Sequence, residues 1–259
     1  VRLVEHIKWR IKALLESHPI GYAFGIWIIN VTDAFLPHEE DYHGFKKLVT
    51  ADQGLFLDIG ANDGKTVRSF RKLFNNWQVF SVEANALHQP ALQKLKSKLK
   101  NFDFVIGAIG EQDKPLTLYT PIYKKIVIHS AASIDLAQVK RQMKKQFRKE
   151  SVVAKIHYEV CSTPRIHLDD LNLAPEIIKI DIEGMEHIAV QALAKTITKT
   201  HPIILLEYNP SNFAKISDYL LARDYLACGF NLPLDKFEKF NQHRNCFFIP
   251  AAKKSLVAL

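Results

Sequence analysis

Leu55-Phe56-Leu57-Asp58-Ile59-Gly60-Ala61-Asn62-Asp63-Gly64 decides how this chain is read. A short apolar run bounded by a turn signal is the length of a buried strand and too short for a helix. Gly60 and Gly64 then provide a turn whose backbone a ligand can approach closely. Asn62 between them tolerates left-handed geometry or bonds across the turn. A second apolar run, residues 77–82, ends in Glu83, 19 residues after Gly64. That is the spacing at which a carboxylate ending the second strand accepts ribose hydroxyls. Asp58, next to the turn, can accept backbone N–H bonds or meet a cationic ligand through water.

Working outward, strands and helices alternate. Residues 66–74 read as a helix, 77–82 as a strand, and 88–99 as a helix with Leu92, Leu95 and Leu99 at helical spacing. Residues 102–109 are apolar again, and 116–119 extend them or start a small hairpin. Further on, 177–182 is a strand, 187–198 a helix, 202–206 a strand and 213–227 a helix. Residues 245–249 close the chain as a strand, with 230–234 as a hairpin partner. Such alternation implies a mostly parallel sheet covered on both faces, with ligands beyond the carboxyl ends of its strands. Asp58, Glu83, Asp181 and Glu207 all fall at or just past strand ends, so four carboxylates converge on one rim.

The alternation pauses over residues 121–164, too long a stretch for an ordinary connection. Leu136, Val139, Met143 and Phe147 recur there every three or four residues, predicting an amphipathic helix over 135–150. Residues 120–155 hold nine Lys/Arg against two acids, +7 of the chain's formal +8. A high pI produced this way marks one basic flap and argues against a nucleic-acid-binding body. The flap suits an anionic acceptor or transient contact with an anionic surface, and Tyr119, Tyr123 and His129 beside it can stack on a sugar.

The chain of 259 residues, 47% apolar, is large enough for one sizeable core plus an appendage. Residues 1–50 form a helical preface: 1–15 as an amphipathic helix, a break at 37–41, then a short helix at 42–50. The α/β core occupies 51–259 and includes the 121–164 stretch as an insertion. The uncharged run around residues 17–32 contains Pro19, Gly21, Gly25 and Asn30 and falls short of a membrane span. It shows no clear cleavage pattern of a signal peptide, and Asn30-Val31-Thr32 reads as a chance glycosylation triplet. Cys161, Cys228 and Cys246 lie far apart with no CxxC pair, which points to a reducing, cytoplasmic setting.

Gly60 and Gly64 do not form GxGxxG, and Lys65-Thr66 lacks the glycine spacing of a phosphate loop. A compact nucleoside therefore fits better than a dinucleotide or a triphosphate. The ordered blocks 57–64 (LDIGANDG), 82–85 (VEAN), 107–110 (GAIG), 178–186 (IKIDIEGME) and 205–207 (LLE) resemble the signature of the FkbM family of S-adenosylmethionine-dependent methyltransferases. The resemblance spans roughly residues 50–250, with Asp63 departing from the family's usual small or apolar residue. It implies an α/β, class I methyltransferase-like Rossmann sandwich with a mostly parallel seven-stranded sheet whose last strand is antiparallel. It also implies S-adenosyl-L-methionine as cofactor, with the methionine part at Gly60–Gly64 and ribose on Glu83. Gly107 and Ala108 would border adenine, and Asn85 would assist near the ribose or cap the next helix.

At the reacting end, transfer to an alcohol needs alignment of the hydroxyl and removal of its proton. Asp181 is the first candidate for base or acceptor contact and Glu183 the second. Glu207 lies at the next rim, and His187 is a base of suitable pKa one turn on. Lys179 fits a snorkelling or acid-pairing role. Asp169-Asp170 fits either the acceptor side or loop and cap bonding. Asp181, Glu183 and Glu207 can offer hard oxygen ligands to a divalent cation, but no ligand-loop pattern accompanies them. The family implies O-methylation of a sugar, glycan or small-metabolite hydroxyl. RNA methylation is the weaker subclass. A nucleoside-binding protein that docks a partner without turnover and a nicotinamide-dependent oxidoreductase are the competing readings; the missing GxGxxG counts against the latter.

Overall fold

The computed structural model describes residues 19–21, 23–24, 41–110, 114–128, 131–147, 149–182, 184–241 and 245–257. The expected helix over 1–15, most of the uncharged run after it, His129 and Glu183 lie outside them. The chain divides into two compact units, one of Pro37–Lys114 and Pro164–Leu259, the other including Pro115–Thr163. The larger unit opens with α1 (Tyr42–Leu48), β1 (Leu55–Ile59), α2 (Lys65–Leu73), β2 (Gln78–Glu83), α3 (Gln89–Lys96) and β3 (Phe102–Ile106). The smaller carries β4 (Leu116–Tyr123), β5 (Ile126–Val127), α4 (Leu136–Gln146), α5 (Glu150–Val153) and β6 (Ile156–Thr163). The larger resumes with β7 (Ile177–Ile180), α6 (Glu186–Ala192), α7 (Ala194–Thr200), β8 (Ile203–Glu207) and α8 (Phe213–Leu221). It ends with β9 (Tyr225–Asn231), β10 (Lys236–Lys239) and β11 (Asn245–Pro250).

The main sheet runs β10-β9-β11-β8-β7-β1-β2-β3. From β3 to β8 every pairing is parallel, while β11 runs antiparallel to both β8 and β9. This is the class I methyltransferase order, with β10 added at the edge. The reading of 230–234 as the partner of the last strand is displaced: β11 pairs with 225–228 of β9, and β10 folds back on β9. β10, Lys-Phe-Glu-Lys, is too short and polar for periodicity to reveal.

Alternation along each strand separates two cores. Phe56, Ile177, Ile203, Leu205 and Phe247 face Phe45, Phe70 and Trp77. Leu57, Ile178, Ile204 and Phe248 face Ala189, Val190, Leu193 and Ile216. Both faces are thus covered, which explains why these strands read as continuous apolar runs. The expected helix over 187–198 is two helices divided at Leu193, which is buried at the junction.

The smaller unit is more than a helix. β4 is the centre of a three-stranded antiparallel sheet ordered β5-β4-β6. Val139 and Met143 of α4 pack with Tyr123, Phe147, Val152 and Ile156, and Asp135 caps α4 by accepting the Ala137 N–H at 2.8 Å. Lys140, Arg141, Lys144 and Lys145 are exposed on its outer side. No helix among the described residues is long and apolar enough to cross a membrane.

Phe70 ties the first core together: its ring stacks on Phe56 at 4.1 Å and Phe74 at 4.7 Å and meets the edge of Trp77 at 5.8 Å. Phe70→Ala should lower unfolding stability by about 3–5 kcal/mol, read as a reduced midpoint in urea denaturation; an unchanged midpoint would contradict this packing.

Candidate nucleoside site at the carboxyl ends of the strands

The turn after β1 is built from its backbone outward. Gly60 (φ +93°) and Gly64 (φ +84°) adopt left-handed geometry, as does Asn62 (φ +53°). A Cβ on Gly60 would lie 1.9 Å from the Asp181 carbonyl oxygen, so only glycine lets β1 and β7 leave the sheet side by side. Gly60 N–H donates to Val82 O at 2.9 Å, and Asp181 N–H donates to Ile59 O at 3.0 Å. The turn is thereby held between the ends of β2 and β7, and Gly64 starts α2.

Glu83 closes it. Its Oε2 accepts the Asn62 N–H and its Oε1 the Asn85 N–H, each at 2.7 Å. Burial raises the Glu83 carboxyl above the usual range, and the N–H groups of Asn85 and Asn62 oppose that rise by stabilising the charged form. The Asn85 side chain accepts the Leu87 N–H at 3.1 Å, a capping bond for the short 3₁₀ turn that follows. At the next strand end, Gly107 N–H donates to Glu83 O at 2.8 Å, and Ala108 is buried. A Cβ on Gly107 would lie 2.4 Å from Ile166 Cγ2, so glycine there admits close packing of residues 164–166.

Ser81, Asp58 and Lys179 stand in register across β2, β1 and β7. Asp58 is fully buried; its Oδ2 accepts the Ser81 hydroxyl at 3.0 Å, while Oδ1 has no partner among the described residues. Burial pushes its pKa up to about 7, against the opposing pull of Lys179 and the Ser81 hydrogen bond. Lys179, 3% exposed, donates to Asp181 Oδ2 at 2.8 Å. The Asp181 side chain is one-third exposed, the most open member of the group. The charges of Asp181 and Glu83 each act on Asp58, so the three carboxylates form one electrostatic group.

The remaining candidates lie further along the rim. Glu207 ends β8, half-buried and opposite Asn245 of β11. His187 is the second residue of α6, with its Nδ1 buried and unpartnered among the described residues. Neither is among the charges that shift Asp58 or Glu83. Asp169 is a cap: its carboxylate accepts the N–H groups of Lys195 and Thr196, both at 2.9 Å, and the Thr196 hydroxyl at 2.7 Å. Among the described residues no cluster of three or more His, Cys, Asp or Glu is arranged to hold a metal ion.

Sequence reasoning passed over Glu186 and Asn212. Glu186 is buried, accepts the Gly184 N–H at 2.7 Å and pairs with Asn212 Nδ2, which also donates to Gly184 O at 3.1 Å. The pair anchors the loop after β7 to the start of α8. An acid just past a glycine was a usable signal; its partner, 26 residues on, was not.

A model of the methyltransferase FkbM domain matches residues 58–232. Among solved structures, methyltransferase FkbM from Methylobacillus flagellatus KT is 14% identical with a TM-score of 0.48, over 76% of this chain and 43% of that one. A TehB-like SAM-dependent methyltransferase from Corynebacterium glutamicum ATCC 13032 Kitasato is 7% identical with a TM-score of 0.44, over 88% and 96%. A precorrin-6y C5,15-methyltransferase from Geobacter metallireducens GS-15 is 16% identical with a TM-score of 0.42, over 78% and 81%. No curated protein matches the chain. This chain spans less than half the length of the Methylobacillus flagellatus protein. With two-thirds of its residues, from Asp58 of the turn to the end of β9, matched by one family model, the chain belongs to the FkbM methyltransferase domain family.

Proposed function

We propose that this protein transfers the methyl group of S-adenosylmethionine to a hydroxyl of a sugar, glycan or small metabolite. The observation that carries the reading is Glu83, whose carboxylate joins the glycine turn to the end of β2 where a nucleoside would sit. The residues fit that cofactor. Glu83 accepts backbone N–H bonds from Asn85, Asn62 and Ala84, and the roughly four lone-pair sites of a carboxylate leave capacity for ribose. Asp58 Oδ1, buried and without a partner among the described residues, suits the ammonium of the methionine part.

When bound, S-adenosylmethionine supplies an electrophilic methyl group on a positively charged sulfur. The chain's own residues then have two tasks, alignment and proton removal. Asp181, the most open carboxylate of the group, would accept a hydrogen bond from the acceptor hydroxyl and take up its proton. Lys179 holds Asp181 in place through the 2.8 Å bond. The Glu186–Asn212 pair steadies the loop that follows. The exposed cations of α4 favour contact of the smaller unit with anionic groups, through long-range attraction that weakens with salt.

Three outcomes test this reading. Glu83→Gln should weaken binding of S-adenosylhomocysteine about 10- to 100-fold by calorimetry, the loss of one or two charge-assisted hydrogen bonds; unchanged affinity contradicts the pocket. Asp181→Asn should lower kcat about 10²- to 10⁴-fold while cofactor affinity shifts little; wild-type turnover contradicts its role. Asp58, with a pKa of about 7 when free, must be ionised to meet an ammonium. Affinity for S-adenosylhomocysteine should therefore rise between pH 6 and pH 7, by at most tenfold per unit, with release of a proton on binding. Asp58→Asn should flatten that dependence; a variant as pH-dependent as wild type would contradict the assignment.

A further inference from the structure

Buried polar side-chain atoms are nearly always paired. Among the described residues six have no hydrogen-bond partner: Asp58 Oδ1, Asn212 Oδ1, His187 Nδ1, Tyr225 OH, and both Nε and Nη1 of Arg165. Of these residues only Arg165 is a guanidinium, with five N–H donors and no acceptor. None of the ion pairs among the described residues includes it. A guanidinium with two buried, unpartnered nitrogens is costly to keep, because desolvation is suffered without the bond that offsets it. An oxyanion is its natural complement.

Its place in the fold gives this meaning. Arg165 forms a parallel bridge with Ala108. Ala108 N–H donates to Pro164 O at 2.9 Å, and Ile166 N–H donates to Ala108 O at 3.0 Å. Ile166 packs against Gly107, so strand alternation turns Arg165 toward the opposite face. Arg165 therefore stands one strand spacing from the segment that would border adenine.

We infer that Arg165 receives an oxyanion, the carboxylate or phosphate of the methyl acceptor, at the nucleoside end of the site. This rests on the methyl-transfer reading above. Three strand intervals separate β3 from β7 in the sheet and one more separates Ala108 from Arg165, so Arg165 stands four intervals from β7, roughly 19 Å at about 4.8 Å each. An acceptor that places a hydroxyl at Asp181 and its anion at Arg165 is thus longer than one sugar ring. The class that fits is a short glycan carrying a uronate or a phosphate ester.

The test is a titration of the ¹⁵N-labelled protein, saturated with S-adenosylhomocysteine, followed at the Arg165 Nε–H resonance and by melting temperature. The resonance is assigned by its loss in Arg165→Lys. The probes are inorganic phosphate, glucuronate and neutral glucose. A saturable shift with phosphate or glucuronate, absent with glucose, supports the site. Response to one anion names the group, and response to both makes it a general oxyanion site. The effective anion should raise the melting temperature of wild type and not of Arg165→Gln. If Arg165→Gln does not fold, the wild-type titration alone decides. Failure of both anions to move the resonance, or an equal response to glucose, overturns the inference. Affinity for S-adenosylhomocysteine, measured in the same wild-type samples, reads the methyl-transfer proposal separately: a protein that binds it yet ignores both anions loses only the Arg165 assignment.

Discussion

One carboxylate, Glu83, holds two loops that would otherwise be independent. Bonds of 2.7 Å to the N–H groups of Asn62 and Asn85 draw the glycine turn after β1 and the start of the 3₁₀ turn after β2 onto the same two oxygens. A buried carboxylate is expensive to maintain, and hydrogen bonds from backbone N–H groups are what make it tolerable. The two bonds restrain the turn. Preorganisation of this kind lowers the ordering cost of binding.

Behind that contact lies a polar row in an otherwise apolar sheet. Ser81, Asp58 and Lys179 occupy matching positions on three adjacent strands, on the face that also carries Phe56 and Ile177. Lys179 donates to Asp181, so a cation buried in the sheet links the polar row behind the glycine turn to the open rim. Its charge moderates the proton affinity of Asp58, which burial alone would drive higher. The proposed cofactor binding at one end and the proposed proton removal at the other would therefore share an electrostatic element. The apolar residues on both faces keep that element dry, and low polarity strengthens each of its interactions.

What was legible in the sequence follows from the range of the forces involved. β1, β2, β7 and β8 are buried on both faces, so their apolar runs announce them without knowledge of any partner. The turn is equally local, since Gly60 and Gly64 carry their conformational freedom with them. α4 showed itself through Val139 and Met143, its buried stripe. β6 did not: its alternation of half-buried and exposed residues has meaning only when Tyr119 and Val160 are seen paired across β4 and β6. Asp169 was ambiguous for the same reason, because the N–H groups it caps lie 26 and 27 residues away. Asn212 and Arg165 carry no sequence pattern at all; one is defined by its distant partner Glu186 and the other by having none among the described residues.

The most direct measurement of the central claim is a crystal structure of the protein with S-adenosylhomocysteine. The two ribose hydroxyls should lie within hydrogen-bond distance of the Glu83 carboxylate, adenine beside Ala108, and the amino-acid ammonium toward Asp58. Electron density for the ligand away from Glu83, with the turn still held by the Asn62 bond, would contradict it.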